Sequence, residues 1–202
     1  MHIRASAIVC AVRAHGETAV IARLLTAGHG LIAVYVAGGR GRQLRPVLIP
    51  GNTVDAEINA RSAHQLPWAR VELTQSRGPW LAEPLPTAAI GWITTIAACT
   101  LPERHPYPAV HEALGAALDA VCFAPAAREW VPPFLSYEIL LLRELGYGGG
   151  IERPGPQADW AALLDLFDTL GREFGRYPLA ERRGDVMAAR ALLRHRLGRI
   201  AG

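Results

Sequence analysis

Five short apolar runs, each closed by a glycine-bearing or polar break, fill the first 77 residues and restrict that region to small β architecture. Residues 7–12, 20–25 and 31–37 are almost uniformly apolar, as strands covered on both faces are. In the fourth run Val54, Ala56 and Ile58 alternate with Asp55, Glu57 and Asn59. In the fifth, Val71 and Leu73 alternate with Glu72 and Thr74. A period of two marks a half-buried strand. Gly16 and the Gly28-His29-Gly30 cluster supply the positive φ that tight turns ask for. Five such strands suit a closed OB-type barrel, a fold that presents loops to polyanions, although other small barrels share the pattern.

Gly78, Pro79, Pro84 and Pro86 then break the chain, and the apolar period becomes helical. Thr87 is expected to cap a helix running to about Cys99. Pro108 suits the first turn of a helix presenting Val110, Leu114, Ala117, Leu118 and Val121. Ser136 is expected to cap the helix over 137–146, stopped by Gly146 and the run Gly148-Gly149-Gly150. Asp159 opens a helix with Leu163, Phe167, Leu170 and Phe174 on one stripe. Asp185 opens the last, with Val186, Ala189, Leu193, Leu197 and Ile200 facing inward. The expected fold class is α+β multidomain: a five-stranded OB-fold β-barrel over 1–77, then an all-α helical domain over 78–202.

Half of the 202 residues are apolar and 19% are charged, so the chain is globular rather than disordered. The net charge of +3 is unevenly spread. Residues 1–77 carry nine Arg against four acids, residues 78–154 four against eight, and residues 155–202 eight against six. Basic ends fit contact with nucleic acid. Lysine is absent, which a GC-rich coding bias explains, and the consequence is that each of these cations carries a forked donor suited to phosphate. Cys10, Cys99 and Cys122 form no C-x-x-C pair, so neither a zinc ribbon nor a disulfide framework is written here. The opening MHIRASAIVCAV is only faintly signal-like, because its apolar run passes into Arg13 without a cleavage stretch. Residues 87–101, the longest apolar run, are too few to span a bilayer. A soluble cytoplasmic protein is the expectation.

The sharpest candidate site is the loop Gly38-Gly39-Arg40-Gly41-Arg42-Gln43-Leu44-Arg45. Its glycines permit close backbone approach, and Arg40, Arg42 and Arg45 can pair with successive phosphates; the plain alternative is a solvated hairpin loop. It lacks the G-x-x-x-x-G-K-[ST] pattern of a nucleotide phosphate loop. Arg13 and Arg23 interrupt apolar strands, where each serves a salt bridge, with Glu17 nearby, or a phosphate. Arg182, Arg183, Arg190, Arg194, Arg196 and Arg199 read as a solvated surface or a second polyanion site. His105, His111 and His195 read as helix-surface residues, and the acids Glu103, Glu112, Asp119 and Glu129 are spread among the helices. There is no metal-ligand spacing, no paired-carboxylate pattern and no G-x-S-x-G elbow, so no catalytic residue, metal or cofactor is assigned.

Two stretches carry a family resemblance. In the barrel they are the Gly16-Glu17-Thr18 turn, Leu25-Thr26 to Gly30, the basic loop, and Pro50-Gly51 to Val54. In the helical part it is Tyr137-Glu138-Ile139-Leu140-Leu141-Leu142-Arg143-Glu144-Leu145-Gly146-Tyr147, which looks like an FExxLLxxLGY helix. In this order and at this distance they resemble RecO, the bacterial recombination mediator family, along the whole chain. The resemblance implies a non-enzymatic protein of DNA repair and recombination, associated with the nucleoid. Such proteins bind single- and double-stranded DNA, anneal strands coated by single-strand-binding protein, and act with RecR to help load RecA at gaps in the RecF pathway. It carries over Arg40, Arg42 and Arg45 as DNA contacts, with Arg13 and Arg23 after them. Arg143 on the matched helix is offered to the acidic tail of single-strand-binding protein. Some members hold a four-cysteine zinc site after the LGY helix; here no Cys lies beyond Cys122 and the helical part is trimmed, so zinc is not carried over. An OB-fold RNA-binding protein and a protein-only adaptor are the competing readings.

Overall fold

The computed structural model describes residues 2–62, 65–155, 158–180 and 183–200, with side chains in the last stretch from Val186 onward. Contacts divide the chain into two compact units. One is Met1–Ala82 with Leu101–His111, and the other is Glu83–Thr100 with Glu112–Gly202.

In the first unit, strands β1 (His2–His15), β2 (Ala19–Thr26), β3 (Gly30–Val36), β4 (Thr53–Asn59) and β5 (Trp68–Gln75) close a barrel in the order β1-β2-β3-β5-β4. The fourteen-residue β1 closes it by serving two neighbours. Its first half pairs with β4 through Ile3↔Ile58, and its second half pairs with β2 through Arg13↔Ile21. A register shift between Val9 and Ala11 bends it between the two. Alternate residues fill the interior: Ile3, Ala7 and Val9; Ala22 and Leu24; Ile32 and Val34; Val54, Ala56 and Ile58; Val71. Each large member stabilises the barrel by about 1.5–3 kcal/mol relative to exposure. Leu73 departs from the expected alternation and is exposed. Among the described residues strand β3 pairs with β5 in register at Tyr35↔Trp68, beside the Tyr35 N–H bond to the Pro67 carbonyl, so the later part of β5 runs on beyond that neighbour.

Segment Leu101–His111 packs with this unit. The Arg104 N–H donates to the Leu31 carbonyl at 2.8 Å, and a Cβ on Gly30 would lie 2.0 Å from the His105 carbonyl oxygen. Only glycine fits there. Glu103 and His105 therefore lie on the barrel, not on a helix as their surroundings in the sequence suggest.

A short 3-10 turn, Gly78–Ala82, leads to helices α1 (Pro84–Thr100), α2 (Pro108–Phe123), α3 (Ala127–Glu144), α4 (Trp160–Arg176) and α5 (Arg183–Gly198). Pro108 does open α2, and Asp159 caps α4 by accepting the Ala162 N–H at 2.7 Å. Two expected caps are corrected. Thr87 sits inside α1, with its hydroxyl bonded to the Glu83 carbonyl. Ser136 sits mid-helix, its hydroxyl on the Pro132 carbonyl, because α3 runs straight through Pro132 and Pro133. Burial of Trp130, Val131, Phe134 and Leu135 on that early part outweighs the lost backbone bonds. The last helix begins before Asp185, whose side chain, like that of Arg183 and the whole of Arg182, lies outside the described residues. Ile200 is past the end of α5 and exposed.

The second unit has a polar centre. Glu138, fully buried, accepts from Trp92 Nε1 and from Arg190 Nη2, the latter at 2.8 Å. The Arg190 guanidinium carbon also lies 3.7 Å from the centroid of the Phe167 ring. Arg190 was expected on a surface face. It is instead 3% exposed, because Glu138 supplies the charge that makes its burial tolerable.

Candidate nucleic-acid interface

The basic loop joins β3 to β4, strands that are not neighbours in the barrel, so it is not a hairpin loop. Gly38 has φ +66°, and the Gly41 N–H closes a turn on its carbonyl at 2.8 Å. Gly39 is buried, and a Cβ there would meet Val20 Cγ2 at 2.5 Å. The chain then winds helically, with Arg45 N–H on Gly41 O and Leu48 N–H on Leu44 O, both at 2.9 Å. This winding turns Leu44, Val47 and Leu48 onto the barrel interior and leaves Arg42 and Arg45 outside.

The three arginines differ in state. Arg40 is partly engaged: its Nη1 donates to the carbonyls of Gly16, at 3.3 Å, and Glu17, at 2.9 Å, and its N–H donates to Thr18 O. It fastens the loop to the β1–β2 turn. The side chains of Arg42 and Arg45 are exposed and make no hydrogen bond or ion pair with any described residue. Arg40 and Arg45 border one hollow, over Val12, Val20 and Leu48.

Arg13 and Arg23 point outward on adjacent strands and share a second hollow of about 290 Å³ with Glu103. Arg13 is exposed and likewise unpaired among the described residues. Arg23 is not: its Nη2 meets Glu103 Oε1 at 3.1 Å. Its carboxylate is Glu103, eighty residues away in sequence, rather than the nearby Glu17. On β1 itself Cys10 is buried, and desolvation pushes its thiol up to about 12, against a smaller opposing pull from Arg23.

Arg143 belongs to the other unit and is exposed, with Nη2 on the Ile151 carbonyl, where it closes the glycine run against the end of α3. Among the C-terminal arginines, Arg190 is in the core and Arg194 forks onto both oxygens of Asp168, at 2.8 and 2.9 Å. Arg196 donates to the Pro84 carbonyl, and Arg199 is exposed. These arginines therefore do not form the continuous solvated run expected of them.

Two features escaped the sequence reading. The first is the pair Asn52 and Arg77, both buried. Asn52 Nδ2 donates to the carbonyls of Pro46 and Val47, at 3.0 Å each. Arg77 Nη1 donates to Gly51 O at 2.7 Å, so together they hold the end of the basic loop. A lone Asn before a strand carries no signal of that role. The second is Trp68, 41% exposed beside Tyr35; the alternation of Trp68, Arg70 and Glu72 with Ala69 and Val71 is its sequence trace. Among the described residues no group of three or more His, Cys, Asp or Glu is placed to hold a metal ion. No described helix is long and apolar enough to cross a membrane.

Residues 1–77 match the family described as Recombination protein O N terminal. The chain is 42% identical over 143 residues to the DNA repair protein RecO of Rhodospirillum centenum, covering 70% of this chain and 56% of that one. It is 38% identical over 149 residues to the RecO protein of Phenylobacterium zucineum, covering 73% and 60%. It is 35% identical over 189 residues to that of Rhodospirillum rubrum, covering 92% and 75%. The chain thus spans less than two thirds of the length of the first two.

Proposed function

From the premise that the chain belongs to the RecO family, we propose that it is a non-enzymatic DNA-binding protein of repair and recombination that anneals complementary strands. The observation that carries this reading is the pair of exposed, unpaired guanidinium groups of Arg42 and Arg45, on a loop folded rigidly against the closed barrel. Two phosphate chains approach each other only when their charge is neutralised, and forked cations on a fixed loop do this without reading sequence. Arg13 extends the cationic surface; Arg40 contributes the donors it does not spend on Gly16 and Glu17.

In this proposal the barrel of 1–77 handles DNA, and the helical part over 78–202 receives protein partners: RecR and the tail of single-strand-binding protein, with RecA loaded indirectly. The setting is the cytoplasm, at the nucleoid. A strand-annealing assay with and without cognate single-strand-binding protein tests it, comparing wild type with the triple variant Arg40→Ala, Arg42→Ala, Arg45→Ala. Annealing that falls steeply with salt and is lost in the variant supports it. Undiminished annealing by a folded variant overturns it. Preference for RNA over single-stranded DNA at one salt concentration favours the RNA-binding reading instead.

A further inference from the structure

A hollow of about 910 Å³ lies on the barrel where β3 and β5 separate, and its walls are mainly apolar and aromatic. Tyr35 and Trp68 stand at its head, as bridge partners on the outer face. Leu66, 46% exposed, flanks it, and Leu44 from the basic loop also lines it. The Arg70 guanidinium lies over the Trp68 ring, 5.8 Å from its centroid. Glu72 offsets that charge at the rim.

Trp68, exposed beside an open cleft and next to the half-buried Tyr35, costs solvation free energy unless something planar or apolar covers it. The register says what. Arg13 pairs with Ile21, Ile21 with Tyr35, and Tyr35 with Trp68, so one outward row crosses four strands from a free cation to the aromatic cleft. Three strand spacings make this row about 14 Å long. His15 meets the Tyr35 ring edge-on, at 5.9 Å and 89°, which fixes the ring from the cationic side. A ligand following this row needs phosphate at one end and a neutral, flat, apolar surface at the other. A peptide helix would meet the near-neutral cleft but have no use for Arg13 or the free loop arginines.

We propose that the Tyr35–Trp68–Arg70 cleft stacks an unpaired nucleobase of a single strand whose phosphates run over Arg13 and the basic loop. The inference rests on the DNA-binding reading and assigns it a base-recognition subsite. Stacking on π-faces tolerates every base, so the cleft adds affinity for single strands without sequence preference. It favours single over double strands, since paired bases are not offered to it.

The test uses the full chain and its Trp68→Leu and Trp68→Phe variants, titrated at one salt concentration with two labelled probes. One is an oligothymidine; the other is an abasic phosphodiester chain of equal length. Trp68 is on the outer face, so both variants leave Ala69 and Val71 in the interior undisturbed. Expected is about ten-fold weaker oligothymidine binding for Trp68→Leu, unchanged abasic binding, and recovery of most of the loss in Trp68→Phe. Equal losses on both probes, or no loss on either, overturn the subsite. Wild type binding both probes equally overturns it too, while leaving DNA binding intact. Wild type binding neither probe overturns both readings.

Discussion

Asn52 Oδ1 accepts the main-chain N–H of Arg77 at 2.8 Å, joining the exit of β5 to the entry of β4 inside the barrel wall. The same side chain donates twice to the basic loop, at Pro46 and Val47. Replacing Asn52 with Ala strands one buried donor and two acceptors. The expected loss is about 2–3 kcal/mol in stability, read as a lower urea midpoint. Asn52→Asp should be no better, because its oxygens face the two carbonyls without protons to offer. A midpoint unchanged in both variants would show that water replaces these bonds at no cost.

The loop arginines should separate by their present partners. Arg42→Ala and Arg45→Ala each remove a free cation, so each should lower the salt slope of single-strand binding by about 0.7. Neither should alter stability. Arg40→Ala should lower the slope similarly but also loosen the β1–β2 turn, since the bonds to Gly16 and Glu17 go with it. Salt titrations of the three variants, beside their melting curves, check the distinction.

Periodicity made the barrel legible because each strand has one face that must be apolar: Val54, Ala56 and Ile58 can be assigned inward from sequence alone. The helical unit was less open to that reading. Ser136 signals a helix start, yet tertiary burial of Trp130 and Phe134 carries α3 through it and through Pro132 and Pro133 before it. Arg190 looks like surface, since its partner Glu138 is fifty-two residues away. In the candidate interface the basic residues were visible as residue types. What decides their use was not, because Glu103 reaches Arg23 through a segment that leaves the helices to lie on the barrel.

That Glu103 contact has a consequence for binding. While paired, Arg23 offers less to a phosphate than Arg13 does, so Arg23→Ala should change DNA affinity little. Glu103→Gln should release the guanidinium, tighten single-strand binding and steepen its salt slope by about 0.7. Both groups are partly exposed, at 27% and 50%, so stability should hardly move. Weaker binding by Glu103→Gln would mean that the carboxylate positions Arg23 for DNA rather than masking it.

The buried Arg190–Glu138 pair predicts an asymmetry. Arg190→Met leaves a carboxylate with only the Trp92 N–H in a closed apolar site, at a cost of about 3–5 kcal/mol. Changing Glu138 to Gln alongside removes the stranded charge and keeps an acceptor for Trp92, so the double variant should be the more stable of the two. Denaturation of both, with the Glu138→Gln single variant completing the cycle, measures the coupling. Additive losses would mean that the pair contributes nothing beyond its separate contacts.

Cys10 gives a pH dependence with a definite sign. Burial raises its thiol from 9.0 to about 12, so the folded chain keeps a proton that the unfolded chain releases. Its neutral form is the one the fold prefers, and this contribution is complete below pH 9. As pH rises from about 9 towards 12 the unfolded state gains from ionising while the folded state does not, and stability falls by up to about 1.4 kcal/mol per pH unit. Cys10→Ala lacks that proton, so its stability should decline less steeply over the same interval, whatever other groups titrate in both proteins. Denaturation midpoints of the two between pH 8 and pH 10.5 would run parallel if the thiol were in contact with water. Divergence would confirm that the folded chain seals this thiol from water, three residues before Arg13 on the same strand.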